Sequence, residues 1–202
     1  GMHLAFGEEL TDGYETKVSG EELSTTFSIE ETKRHDIIIY FGDGSSEVFE
    51  VALSPASQHL KPIDHVTVGF RCADNPDISL EIVGNAGAQY IDSYLWWDDE
   101  SNYSGIQYKY TGANQIAYYF DAAGSLTAIE NEHGDRVNVS HSGYMFEDGS
   151  SITFARDEVG RVTSITNRDG KVCTYEYDSD NNLIRYSDVT RNVGSYNFDR
   201  AH

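Results

Sequence analysis

Hydrophobic and polar positions alternate with a period of two in short runs along this chain. Val66-Thr67-Val68-Gly69-Phe70 and Ile78-Ser79-Leu80-Glu81-Ile82 each place apolar side chains on one face only, the signature of a half-exposed strand. Ile37-Ile38-Ile39-Tyr40-Phe41 and Val48-Phe49-Glu50-Val51 flank Gly42-Asp43-Gly44-Ser45-Ser46, which predicts a hairpin over residues 36–52, because glycine enters the positive-φ region of a tight turn without a steric cost. Residues 54–64, with Pro55 and Pro62 in a polar setting, read as a loop. Thr26-Phe27-Ser28-Ile29 alternates weakly, and the rest of the first 35 residues stays open between strand and a short helix near Glu21-Glu22-Leu23. Residues 84–114 are the least regular, with Tyr90, Tyr94, Trp96, Trp97, Tyr103, Tyr108 and Tyr110 set among acidic side chains.

From residue 116 a repeat takes over. An aromatic residue stands three positions before an aspartate in Tyr118-Tyr119-Phe120-Asp121, Phe154-Ala155-Arg156-Asp157, Tyr175-Glu176-Tyr177-Asp178 and Tyr196-Asn197-Phe198-Asp199. The last three aspartates are 21 residues apart, and Asp121 to Asp157 is 36, one period plus an insertion of 15. A fixed period near this length marks a repeat architecture whose units bury their apolar faces against their neighbours. Three residues after the aspartates come Gly124, Gly160 and Asn181, all tolerant of the left-handed conformation. Thirteen after come Gly134, Gly170 and then Arg191, where the pattern breaks and Asn192 or Gly194 is expected to supply the turn in a shifted register. Each unit reads as one hairpin, with the aspartate accepting a backbone N–H two residues on. Tyr175 and Tyr177 share a strand face with Cys173. The apolar positions five and eight after each aspartate (Leu126 and Ile129, Val162 and Ile165, Leu183 and Tyr186) differ in parity, so that strand either bulges or is buried on both faces.

Composition supports an all-β reading: 14 tyrosines and 9 phenylalanines suit pleated half-buried surfaces, and 18 glycines against 3 prolines suit tight turns. The net charge of −20 is uneven, with 20 acidic and 6 basic residues in 1–115 and 14 and 8 in 116–202. Such a surface repels phosphate backbones and anionic lipid, so nucleic acid and membrane insertion are not expected. Cys72 and Cys173 lie in no CxxC pair, so a zinc or redox motif is not indicated, and a disulfide depends on whether the fold brings them together.

The stretches around Phe120-Asp121, Asp157 to Gly170 and Tyr175 to Asp188 resemble the YD-repeat family, also called the RHS repeat, of bacterial wall-associated and polymorphic-toxin proteins and animal teneurins. The segment around Ile37 to Val51 is similar to the region that often precedes the first repeats. The resemblance implies a twisted ribbon of hairpins that in long members closes into a shell around a C-terminal payload, and a secreted or cell-surface location. It makes Phe120, Asp121, Gly124, Asp157, Gly160, Gly170, Tyr175, Tyr177, Asp178, Tyr196, Phe198 and Asp199 structural residues. The chain stops within a fourth repeat and holds no Asp-Pro-x-Gly junction, so it reads as an opening fragment of such a shell, and toxin or peptidase activity is not carried over.

Candidate chemistry is sparse. The seven histidines include no HExxH and no pair at metal spacing, and read as solvated side chains. Asp178-Ser179-Asp180-Asn181-Asn182 opens like a calcium loop, but Leu183 and Val189 stand where its glycine and closing glutamate belong. A possible ligand surface is Tyr94-Leu95-Trp96-Trp97-Asp98-Asp99, since indoles stack on sugar rings; adjacent tryptophans on a strand point opposite ways, so at least one of them is expected in the core. The expectation is an all-β antiparallel hairpin meander: a small sandwich or sheet over 1–115, continuing into a twisted sheet of repeat hairpins over 116–202. It is expected to be a non-enzymatic interaction module without a cofactor. Its partners would be downstream repeats or a second copy by strand pairing, or a glycan or protein.

Overall fold

The computed structural model describes residues 1–196, so Phe198 and Asp199 lie outside the described residues. The chain is all-β, with twenty strands among the described residues and short 3-10 turns at Glu22–Ser24 and Glu100–Ser104. It packs as two units, residues 1–134 and 135–202. The expected change at 115/116 concerns repeat register, whereas this division concerns packing.

The first unit carries β1 (His3–Phe6), β2 (Tyr14–Ser19), β3 (Thr26–Glu31), β4 (Ile37–Tyr40), β5 (Ser46–Ser54), β6 (Ser57–His59), β7 (His65–Arg71), β8 (Ser79–Ile82), β9 (Gly87–Ile91), β10 (Tyr94–Trp97), β11 (Tyr108–Thr111), β12 (Ala117–Phe120) and β13 (Leu126–Glu130). One sheet runs β1-β4-β5-β7-β9-β10, and a smaller one runs β2-β3-β6. In a third set, β11 pairs with both β8 and β12, and β12 with β13. The alternation in β4 and β7 buries Ile37, Ile39, Val66 and Val68, which meet Leu80, Ile82, Tyr108, Tyr110 and Phe120 in one core. Aromatic rings join the layers: Phe6 and Phe70 lie 5.3 and 6.0 Å from Tyr108, and Phe49 lies 6.1 Å from Tyr110. Burial pushes the Tyr108 phenol up to about 12.

Two local readings are corrected. Residues 54–64 are not all loop, because Ser57–His59 adds a short edge strand to β3, with His59 Nδ1 2.9 Å from Thr26 Oγ1. The prolines on either side confine that strand to three residues. His35 is not solvated: it is 1% exposed and stacked on Tyr14 at 4.7 Å, with Nδ1 3.0 Å from Glu31 Oε1 and Nε2 2.7 Å from the Asp12 carbonyl. Both ring nitrogens are satisfied, and this makes the burial affordable.

The second unit is a meander of β14 (Arg136–Ser140), β15 (Gly143–Phe146), β16 (Ser151–Arg156), β17 (Val162–Thr166), β18 (Val172–Tyr177), β19 (Leu183–Ser187) and β20 (Val193–Ser195), each paired with the next. One face carries the rows Phe154-Ile165-Cys173 and Tyr175-Tyr186; the other carries Ala155-Ser164-Thr174-Ser187. Among the described residues no large apolar side chain of this unit is fully buried. Cross-strand pairs, rather than a closed core, are what hold its strands together.

Candidate functional site

Asp121, Asp157 and Asp178 sit at the first position of five-residue turns with one geometry. At Asp157 the backbone N–H donates to the Arg161 carbonyl at 3.0 Å, and the Gly160 N–H returns to the Asp157 carbonyl at 3.0 Å. The carboxylate Oδ1 accepts from the N–H groups of Val159 and Arg161, at 3.1 and 2.9 Å. Asp121 holds Ala123 and Ser125 in the same way, and Asp178 holds Asp180 and Asn182. The fourth position is left-handed each time: φ is +83° at Gly124, +88° at Gly160 and +69° at Asn181. Directly after each of these turns the ladder slips, so that Leu126-Thr127, Val162-Thr163 and Leu183-Ile184 oppose single residues. The parity conflict is therefore resolved by a bulge.

A second set of turn residues was not singled out by sequence reasoning. Asn131, Asn167 and Asp188 stand ten residues after Asp121, Asp157 and Asp178 and open the return turns. Asn167 Oδ1 accepts from Asp169 and Lys171, and Asp188 Oδ1 from Thr190 and Asn192. The signal was an Asn or Asp at plus ten. The pattern also does not break at Arg191: its φ is +67°, and its N–H reaches the Asp188 carbonyl at 3.0 Å. The bonds of Asp188 to Thr190 and Asn192 hold the turn in register although arginine there lacks the freedom of glycine. The insertion of 15 residues forms the extra strands β14 and β15, closed by Phe146-Glu147-Asp148-Gly149-Ser150, which repeats the Phe-x-Asp-Gly-Ser pattern of residues 41–45.

Successive turns are stapled to one another. Arg161 Nε bonds Asp157 Oδ2 at 2.7 Å, its Nη1 reaches Asn181 Oδ1 one repeat later at 2.8 Å, and its guanidinium lies 4.7 Å from the Tyr177 ring centre. The Tyr177 hydroxyl donates to the Val162 carbonyl at 2.9 Å. Arg168 pairs with Asp148 across the preceding turn and stacks on Phe146. Residues 156–193 match the family model of the RHS Repeat. Over that span the chain is similar to the RHS repeat. No curated protein matches the chain at a significant level. Asp157, Gly160, Gly170, Tyr175, Tyr177 and Asp178 fall inside the matched RHS repeat, while Phe120, Asp121 and Gly124 precede it and Tyr196 follows it.

Hydrogen bonds from Asn182, side chain first and then backbone, hold Asp178 below the usual carboxylate range, and those from Thr190 and Asn192 do the same for Asp188. At Asp157 desolvation pulls upward, but the Arg161 side chain and backbone outweigh it. Groups with depressed folded-state values stabilise the fold fully above the unfolded aspartate value of about 3.9, and that contribution is lost as pH falls through the folded values. Stability of the second unit is expected to be flat from neutral pH to about pH 4 and to fall below it, by a modest amount because solvent screens these carboxylates. Asp178→Asn is expected to lower the neutral-pH urea midpoint only part-way, since Asn167 makes the same turn with an amide oxygen but the amide nitrogen of an asparagine at 178 cannot accept the Asn182 Nδ2 bond that Asp178 Oδ2 takes, whereas Asp178→Ala lowers it further. Equal losses for both would mean that charge, not the acceptor oxygen, closes the turn.

The aromatic segment is split by its strand. Tyr94 and Trp96 are 51% and 54% exposed, whereas Trp97 is 6% exposed and packs in the core, so it offers no ring to the face that carries Tyr94 and Trp96. β10 is an edge of the six-stranded sheet, and Trp96 lies opposite Gln89 and Tyr94 opposite Ile91. Next to them, His65 Nε2 meets Asp98 Oδ2 at 2.7 Å. Cys72 and Cys173 are both free, half-buried thiols.

Proposed function

We propose that this chain is a non-enzymatic structural and interaction module, the opening part of the β-shell of a larger exported RHS-repeat protein. The observation that carries this reading is the use of the repeat carboxylates: Asp121, Asp157 and Asp178 each close their own turn through two backbone N–H groups. A group committed in that way is poorly placed to bind or protonate a substrate. The natural neighbour of β20, the end strand of its sheet among the described residues, is the next repeat or a second copy of the chain.

Extending the chain tests this. A copy of residues 157–177 placed from position 199 onward continues the 21-residue register. The expected result is slower hydrogen exchange at residues 193–195 and a higher urea midpoint. An appended repeat that stays unstructured and changes neither would sink the reading.

The exposure of Tyr94 and Trp96 on one strand face favours a second reading, a carbohydrate-binding surface in which the rings stack on sugars and Gln89 or the His65–Asp98 pair bonds hydroxyls. A glycan array probed with the wild type and Trp96→Ala separates the two readings: a signal lost in the variant supports the glycan surface, and no signal disposes of it.

A further inference from the structure

A cleft of about 420 Å³ opens within the first unit, reaching Ala122 of the Asp121 turn and lying away from the exposed face of Tyr94 and Trp96. That volume lies in the range of sites for small organic ligands. Its walls include the aromatic side chains of Phe6, Trp97, Tyr103 and Tyr108. Trp97 and Tyr108 are buried in the core, while Phe6 and Tyr103 are 39% and 54% exposed. Tyr103 is itself anchored, since its hydroxyl accepts the Trp97 backbone N–H at 2.8 Å.

The polar groups of the cleft have one sign. Glu8 and Glu9 are its carboxylates, and neither lysine nor arginine lines it. The nearby cations are already occupied, Lys33 by Asp12 at 2.8 Å and Arg34 by Asp36. His35, also in the wall, spends both ring nitrogens on Glu31 and the Asp12 carbonyl. Asn102 is 8% exposed and gives its amide nitrogen to the Asn85 carbonyl at 2.9 Å, which turns its oxygen into the remaining acceptor. Aromatic faces, carboxylates and a spare amide oxygen all favour a ligand that brings N–H donors and positive charge on a flat apolar body. An anion would meet like charge and no cation.

We propose that this cleft binds a small arylalkylammonium-type ligand, its ring held between the aromatic walls and its ammonium directed to Glu8 and Glu9. The probe is 2-phenylethylamine, compared with 3-phenylpropionate, which has a similar apolar body and the opposite charge. In a Trp96→Phe background Trp97 is the sole tryptophan and reports from the cleft wall. The amine is expected to change its fluorescence saturably, with a Kd on the order of 1 mM for a fragment of this size, and the acid is not. Glu8→Gln with Glu9→Gln should weaken the amine about fivefold without moving the urea midpoint, since both carboxylates are exposed. Amide shifts of Asn102 and Gly105 place the ligand independently of fluorescence. Equal responses to both probes, no saturable response to the amine, or unchanged affinity in the double variant would each overturn the proposal.

Discussion

Phe120→Ala is expected to destabilise the first unit by about 3–5 kcal/mol, the cost of removing a large aromatic side chain from a packed core. Phe120 is completely buried, and its strand partner is Tyr108, whose ring touches Phe6 and Phe70. A cavity there would strip contacts from both layers, and the shared register leaves little room for collapse. The same step of the repeat is filled by Arg156 and Tyr177 in the second unit, where side chains are only half-covered. Tyr177→Ala should therefore cost clearly less, losing chiefly the bond to Val162 and the contact with Arg161. Urea unfolding with constant slope measures both. A loss below about 1 kcal/mol at Phe120 would contradict its place in the core.

Gly124→Ala is the second large effect, expected at about 2–4 kcal/mol from left-handed strain together with overpacking. A methyl group at Gly124 would run into the Leu4 carbonyl, and the Gly124 carbonyl accepts the Leu4 N–H at 2.9 Å. The substitution would push β1 off the first repeat turn. Gly160 has the same backbone angle but open space around it, so Gly160→Ala should cost only about 1–2 kcal/mol of conformational strain. Gly160→Asn, which copies Asn181, should cost less than Gly160→Ala. Equal losses at 124 and 160 would show that conformation alone, and not the approach of β1, sets the demand for glycine.

The turns were legible because their chemistry is local. An aspartate, a left-handed residue three later and an apolar strand on either side specify a hairpin within about ten residues, so Asp157-Gly160 and Asp178-Asn181 could be read directly. The return turns were half-legible: Gly134 and Gly170 stood out, but Asn131, Asn167 and Asp188 did not, since asparagine and aspartate are common on a polar surface. Arg191 was misread because its left-handed angle is held by Asp188 and Asn192, and residue type alone does not reveal that support.

By itself the sequence determined the class of structure, the 21-residue hairpin rhythm and the opposite facing of Trp96 and Trp97, since each follows from contacts between residues close along the chain. Tertiary structure decided that Phe120 is core while Tyr177 is half-covered, that Gly124 must stay bare and Gly160 need not, and that Phe6, Trp97, Tyr103 and Tyr108 share a cleft with Glu8 and Glu9. Those outcomes depend on which distant strand arrives overhead, and burial, close approach and pooled charge arise only when segments as far apart as Leu4 and Gly124 are packed together.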